Sequence, residues 1–185
     1  MTRTAATLWA VVDCGLQTWW WQDRGRQVRE IRLIFETIEE RPGRRRAIEQ
    51  RYALSFWPQA KLHQHIAAWL DRPLTVAELE DFDMKSLIGR SARLELEWRG
   101  GFRAITGILP AIGPDWPPSR DPVFVWLTPP RTDIWAWERL PERLRDRIMA
   151  SPTFHALHEP EQPWPAEHLR EATTTEILEG DYIPW

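Results

Sequence analysis

The spacing of apolar positions changes period repeatedly between Gln50 and Arg90. Tyr52, Leu54 and Phe56 alternate with smaller or polar neighbours, the period of two that a pleated strand requires. Pro58 cannot donate to a ladder, so the strand is expected to stop there. Leu62, Ile66, Trp69 and Leu70 then recur at helical spacing and form one apolar stripe, which places Trp69 in the core. Asp71-Arg72-Pro73 ends that helix, and Thr75 with Glu78 has the form of a capping box that opens a second, short one. Over Ser91–Trp98 the period of two returns, with Ala92, Leu94, Leu96 and Trp98 on one face.

The flanking segments extend this pattern. Leu8–Leu16 is expected to be a first strand, with Gly15 permitting a bend or bulge. Trp19 to Arg26 follows as a hairpin tip, since Asp23-Arg24-Gly25 supplies turn chemistry. Val28–Glu36 is the clearest strand: Ile31, Leu33 and Phe35 share one face, and Glu30, Arg32 and Ile34 share the other. Glu39–Arg46 reads as a polar loop closed by three arginines. Gly100-Gly101 turns Ser91–Trp98 into a last strand, Phe102–Leu109. Three strands, a helix and two strands is the order of a mainly β (α+β) five-stranded OB-fold barrel, which binds oligonucleotides across one face. An SH3-like barrel lacks the helix, and a Rossmann sheet would carry helices after most strands.

Past Pro110 the composition shifts. Prolines punctuate a stretch holding one short apolar strand, Val123–Leu127, and Glu138–Met149 has helical periodicity through Leu140, Leu144 and Ile148. Pro141 is acceptable near the start of that helix, and Ser151-Pro152 is expected to stop it. The expected organisation is therefore a barrel over 1–112, a Pro-rich extension packing on it over 113–157, and an acidic, largely disordered tail over 158–185.

Charge changes the picture more than size does. Residues 1–110 hold 17 Lys+Arg against 14 Asp+Glu, whereas residues 151–185 hold one Arg against seven acids. Nearly all the positive charge is Arg, which favours bidentate phosphate contacts and stacking on bases, although a high-GC genome enriches Arg as well. The 13 Trp against two Tyr supply an unusual number of large ring faces. No apolar run reaches the length of a membrane span. The single Cys14 excludes an internal disulfide and fits a reducing cytoplasm.

From about Leu8 to Leu157 the chain resembles the small OB-fold proteins of phages and prophages that bind single-stranded DNA in replication. The strand VREIRLIFE, the run YALSF with its following helix, and the phrases RPLTVAELEDFDMKSLIGR and WERLPERLRDRIMASPTFHAL carry that resemblance. The terminus Asp181-Tyr182-Ile183-Pro184-Trp185 is similar to the acidic-hydrophobic tip of bacterial single-stranded-DNA-binding proteins, but ends in Trp where those end in Phe. The resemblance implies single-stranded DNA as ligand, replication or recombination proteins as partners of the tip, and a bacterial host cell. Since one OB domain covers only roughly 4–16 nucleotides, a homo-oligomer is expected on long strands.

Single-strand binding needs a positive track for phosphates and ring faces for bases. The first hairpin offers Trp19, Trp20, Trp21, Arg24 and Arg26, and the second strand offers Arg32. Arg44, Arg45 and Arg46 follow in the polar loop, then Trp57 and Lys61 before the helix, then Trp98, Arg99, Phe102 and Arg103 in the last hairpin. Alternation sends either Trp20 or its two neighbours inward, and Trp57 and Trp98 each suit the core as well as a ligand. In the tip, Ile183, Pro184 and Trp185 suit a small apolar pocket, with Asp181 and the terminal carboxylate meeting basic groups at its rim.

Signals for catalysis are poor. His63 and His65 lie two apart on a helix with no third ligand, so no metal or other cofactor is expected. Glu78, Glu80, Asp81 and Asp83 read as a solvated acidic face, and Cys14 as a small apolar packing residue. The expectation is a non-enzymatic protein. The alternative is an OB-type protein-interaction module without DNA binding, since Trp suits protein interfaces equally well.

Overall fold

The computed structural model describes residues 2–21, 23–41, 44–113, 116–128 and 134–158. Three long strands come first: β1 (Thr2–Trp21), β2 (Arg24–Arg41) and β3 (Arg44–Ala53). Helices α1 (Lys61–Leu70) and α2 (Val76–Glu80) and a single 3-10 turn (Met84–Leu87) lead to β4 (Ser91–Arg99) and β5 (Phe102–Pro110). A short strand, β6 (Val123–Val125), precedes helices α3 (Ile134–Arg139), α4 (Glu142–Met149) and α5 (Pro152–Leu157). The expected helix between third and fourth strands is present, and the class is mainly β with a few helices.

The sheet runs β3-β2-β1-β4-β5, antiparallel throughout, with β6 added parallel to β1. It does not close into a barrel, because β3 and β5 share no ladder among the described residues. Instead α1 packs against both of these end strands and lays Leu62, Ile66 and Trp69 into the core between them. Trp69 also donates from its indole N–H to the Ser91 carbonyl at 2.8 Å, so its one polar atom is satisfied in the interior.

β1 serves two cores. A straight strand of its length would overshoot any small sheet, at ~3.3 Å per residue. Irregularities between Leu8 and Ala10 and between Asp13 and Leu16 bend it, so that Thr2–Thr7 pair with β4 while Ala10–Val12 pair with β6. The first irregularity also breaks the alternation: Leu8 and Val11 face the α1 core, whereas Trp9, Ala10, Val12 and Cys14 face a second core under β6, α3 and α4. The second falls at Gly15, whose φ of +70° is one that side chains resist, and where a Cβ would lie 2.6 Å from Ser151 Oγ at the start of α5. The expected bulge at Gly15 is therefore observed, and it lets α5 approach.

Several expected boundaries move. Arg44–Arg46 belong to β3 and Glu39–Arg41 to β2, so the predicted polar loop is the end of a long two-stranded arm. The third strand ends at Ala53, earlier than expected, and Phe56 turns away to stack on Phe82 at 5.5 Å. The single helix expected over Glu138–Met149 is two, because Pro141 cannot continue an N–H ladder and instead stands just before a new first turn. Ser151-Pro152 ends α4 but opens α5: Ser151 Oγ accepts from the Phe154 N–H at 3.0 Å and caps it. The Thr75–Glu78 capping box is present as read. No described helix is long and apolar enough to cross a membrane.

The extension is fastened by carboxylates on the outer face of β1 and β2. Glu30 has no exposed surface; its oxygens accept from Arg147 at 2.6 and 2.7 Å, from Arg32 at 2.8 Å and from the Trp19 indole at 2.7 Å. Burial alone would raise its pKa, but the Arg147 bonds, Arg32 and Trp19 together hold it below the ordinary value. Asp13, equally buried, accepts from Arg29 at 2.6 Å and from the Leu127 N–H at 3.1 Å. Glu36 accepts from the Ser119 N–H at 2.8 Å and pairs with Arg120.

Removing Arg147 takes two of the four donors from a buried carboxylate. Arg147→Met is expected to destabilise the protein by roughly 3 kcal/mol, read as a lower urea midpoint. Glu30→Gln with Arg147→Met should recover part of that loss. A single variant as stable as the parent would show that Glu30 does not hold α4.

Candidate nucleic-acid interface

The two hairpin tips and the loop before α1 carry the most exposed rings. At the first tip Trp19 pairs in register with Arg26, Trp20 with Gly25 and Trp21 with Arg24. Trp20 is 72% exposed and lies across Gly25, where a Cβ would come within 3.3 Å of its ring. Glycine lets the ring lie closest there. Arg24 and Arg26 are exposed beside it. Trp19 is half-buried: its N–H is fixed to Glu30 and the Arg51 guanidinium stands 4.6 Å over its ring. The side chains of Trp21, Arg44 and Arg45 lie outside the described residues; Arg46 is half-buried on β3.

Arg32 occupies the outer face of β2, as expected, but its guanidinium is committed to Glu30 and Glu49. Glu49 also takes Arg143 of α4. The outer face of β2 and β3 is thus bridged to a helix by an Arg-carboxylate network, and Arg32 forms part of that network. Sequence alternation told which face Arg32 is on. It carried no signal that α4 sits there too.

The second tip combines with the α1 end of the molecule. Trp98 is 62% and Phe102 61% exposed, and Trp57, in the loop before α1, is 76% exposed. Arg103 lies cross-strand from Trp98 with its guanidinium 5.8 Å from that ring, and Arg99 lies cross-strand from Phe102 and pairs with Glu97. Lys61, at the first turn of α1, donates to the Ile105 carbonyl of β5 at 3.3 Å, which holds the start of the helix, and with it the Trp57 loop, against β5. Burial, and then the charge of Arg99, keep the Lys61 ammonium below the ordinary lysine pKa. Around the second tip these groups form a rim of rings interleaved with cations, while Trp20, Arg24 and Arg26 stand at the other end of β1. The tip Asp181–Trp185, with the rest of 159–185, lies outside the described residues. No family model, curated protein or solved structure matches this chain.

Beneath the rim, Tyr52 and His65 make a buried pair that sequence reading did not pick out. Tyr52 Oη and His65 Nδ1 are 2.7 Å apart, with the rings edge-on. Burial first, and the nearby Lys61 charge second, push the His65 pKa down to about 4. Burial raises that of the Tyr52 phenol. His63 turns elsewhere, its Nδ1 2.8 Å from the Phe56 carbonyl, so the two histidines do not converge. Cys14 is buried in the second core, its thiol pushed up to about 12 by that burial and by Glu30.

His65 fixes the sign of an acid response. In the unfolded chain it binds a proton near its ordinary 6.5, whereas the folded site resists until about 4. The unfolded state therefore gains protons first, so stability is complete above pH ~6.5 and falls as pH drops toward 4. The gap is worth roughly 3 kcal/mol. Urea midpoints between pH 4.5 and 7.5 should follow that slope, and His65→Gln should flatten it. An equal slope in the variant would place the acid sensitivity elsewhere.

Proposed function

We propose that this chain is a non-enzymatic, OB-type protein of the phage or mobile-element kind that binds single-stranded DNA along its aromatic-basic rim. The observation that carries the reading is the placing of Trp20, Trp57, Trp98 and Phe102, exposed rings that stand at two hairpin tips and a helix entry beside Arg24, Arg26, Lys61, Arg99 and Arg103. Bases stack on such rings in any sequence, while the cations follow the phosphates. The strand order β3-β2-β1-β4-β5 with α1 after β3 supports an OB-type topology left open between β3 and β5. Strands bind at the rim rather than across β2 and β3, since Arg32 and Glu49 there are engaged by α4. Replication or recombination partners would be recruited by Asp181–Trp185, and the open ends of the sheet suit self-association.

Exposed rings are also what protein partners bury. The engagement of Arg32 by carboxylates favours, as a second reading, an interaction module without DNA binding.

Titration with a roughly 30-nucleotide oligo-dT separates the two. Tryptophan fluorescence should be quenched by the single strand, far less by duplex, and the affinity should fall as salt rises. Trp57→Ala and Trp98→Ala should each weaken binding roughly tenfold, at ~1–3 kcal/mol per stacked base, without moving the urea midpoint. Absence of quenching at low salt would sink the DNA reading and leave the interaction module.

A further inference from the structure

Away from the rim, a cleft of about 120 Å³ opens on the outer face of β1 and β4. Its wall is mostly apolar, from Ala5, Ala111 and Ile112, with Arg3, Arg93 and Trp116 around it. Arg3 is neutralised, its guanidinium 2.8 Å from Glu95. Arg93 is not. It lies cross-strand from Ala5, is half-buried, and makes no ion pair among the described residues; its Nε is buried without an acceptor. A buried guanidinium N–H without an acceptor is costly, and a bound anion would supply what the protein does not.

The ring beside it is held in place. Trp116 donates its backbone N–H to Ser91 Oγ at 2.7 Å and accepts at its carbonyl from the Thr7 hydroxyl, and both of these residues are buried. Its indole is nevertheless 45% exposed. Backbone anchoring with an exposed ring is an arrangement suited to stacking, and the Arg93 fork is suited to a tetrahedral oxyanion.

We propose that this cleft binds a nucleotide, its phosphate on Arg93 and its base on Trp116. The volume is about that of four liquid waters, room for one phosphate and part of its sugar. The pocket stands on its own geometry, but the choice of a nucleotide over other phosphate carriers rests on the single-strand reading.

Calorimetric titration of the full chain at low salt with dTMP, thymidine and inorganic phosphate tests this. Saturable binding of dTMP is expected, with inorganic phosphate weaker for want of the stack and thymidine at least about tenfold weaker for want of the charge. Arg93→Met should lose at least about tenfold for dTMP, whereas Arg90→Met, an equal change of charge outside the cleft, should not. Trp116→Ala should remove the advantage of dTMP over phosphate. Equal binding of thymidine and dTMP overturns the proposal using the parent protein alone, as does equal binding of dTMP by Arg93→Met, or equal loss in Arg90→Met. Binding of inorganic phosphate as tight as that of dTMP overturns the nucleotide assignment. Quenching by oligo-dT without dTMP binding would sink the cleft and leave the rim, and dTMP binding without quenching would do the reverse.

Discussion

A carboxylate with no exposed surface cannot stay ionised on a sheet unless something brings it charge. Glu30 is such a group, and Arg147, Arg32 and the Trp19 indole are what meet it. The consequence is topological as well as local. Arg147 belongs to α4, more than a hundred residues downstream, so folding the second strand commits the chain to bringing that helix back over it. Asp13 and Glu36 repeat the device with Leu127 and Ser119. Apolar contacts make the second core favourable, but these three carboxylates make its register specific, since a shifted extension would lose the Arg147, Leu127 and Ser119–Arg120 donors that these buried oxygens accept.

That fastening decides where a ligand can go. On a bare sheet the outer face of β2 and β3 would present Arg32, Glu49 and Arg51 together. Here Arg143 and Arg147 reach that face first, and Arg51 is left exposed over Trp19 at its margin. The most exposed rings lie outside the extension: Trp20 at one tip, Trp98 and Phe102 at the other, and Trp57 where α1 begins. Local sequence chemistry sets each of these, by Gly25 beneath Trp20 and the Gly100-Gly101 turn between Trp98 and Phe102. The rim is therefore what remains exposed once the internal charges are matched.

How much of this could be read from the sequence follows the range of the forces. The α1 stripe, the Thr75–Glu78 box, the Gly15 bulge and the β4–β5 hairpin depend on neighbours within a few residues, and all were legible. The arm that absorbs Arg44–Arg46 was not, because a polar run looks like a loop until a partner strand is known to lie opposite. The split at Pro141 follows from its missing N–H, but the apolar period through Leu140, Leu144 and Ile148 runs across it and reads as one helix. Of the candidate site, exposure at Trp57 and Trp98 was left open by alternation. The fate of Arg32 was hidden because its partners, Glu49 and α4, come from other segments.

The arginine content itself divides along the same line. An excess of Arg over Lys looks like a phosphate-binding signature, since the guanidinium fork matches oxyanions. The same fork is what Glu30 requires: Arg147 meets both of its oxygens through Nε and Nη2. A lysine could offer charge there but not two aligned donors. Arg29 places two donors on one oxygen of Asp13, and Arg120 places its Nε on Glu36, so these arginines too are spent on buried carboxylates. Part of the composition is therefore internal architecture, and the arginines that bear on a ligand are those left outside it. Arg24 and Arg26 sit beside an exposed ring and Arg93 beside another, and none of the three makes an ion pair among the described residues. Position relative to the buried acids, rather than abundance, is what separates a structural arginine from one poised for phosphate.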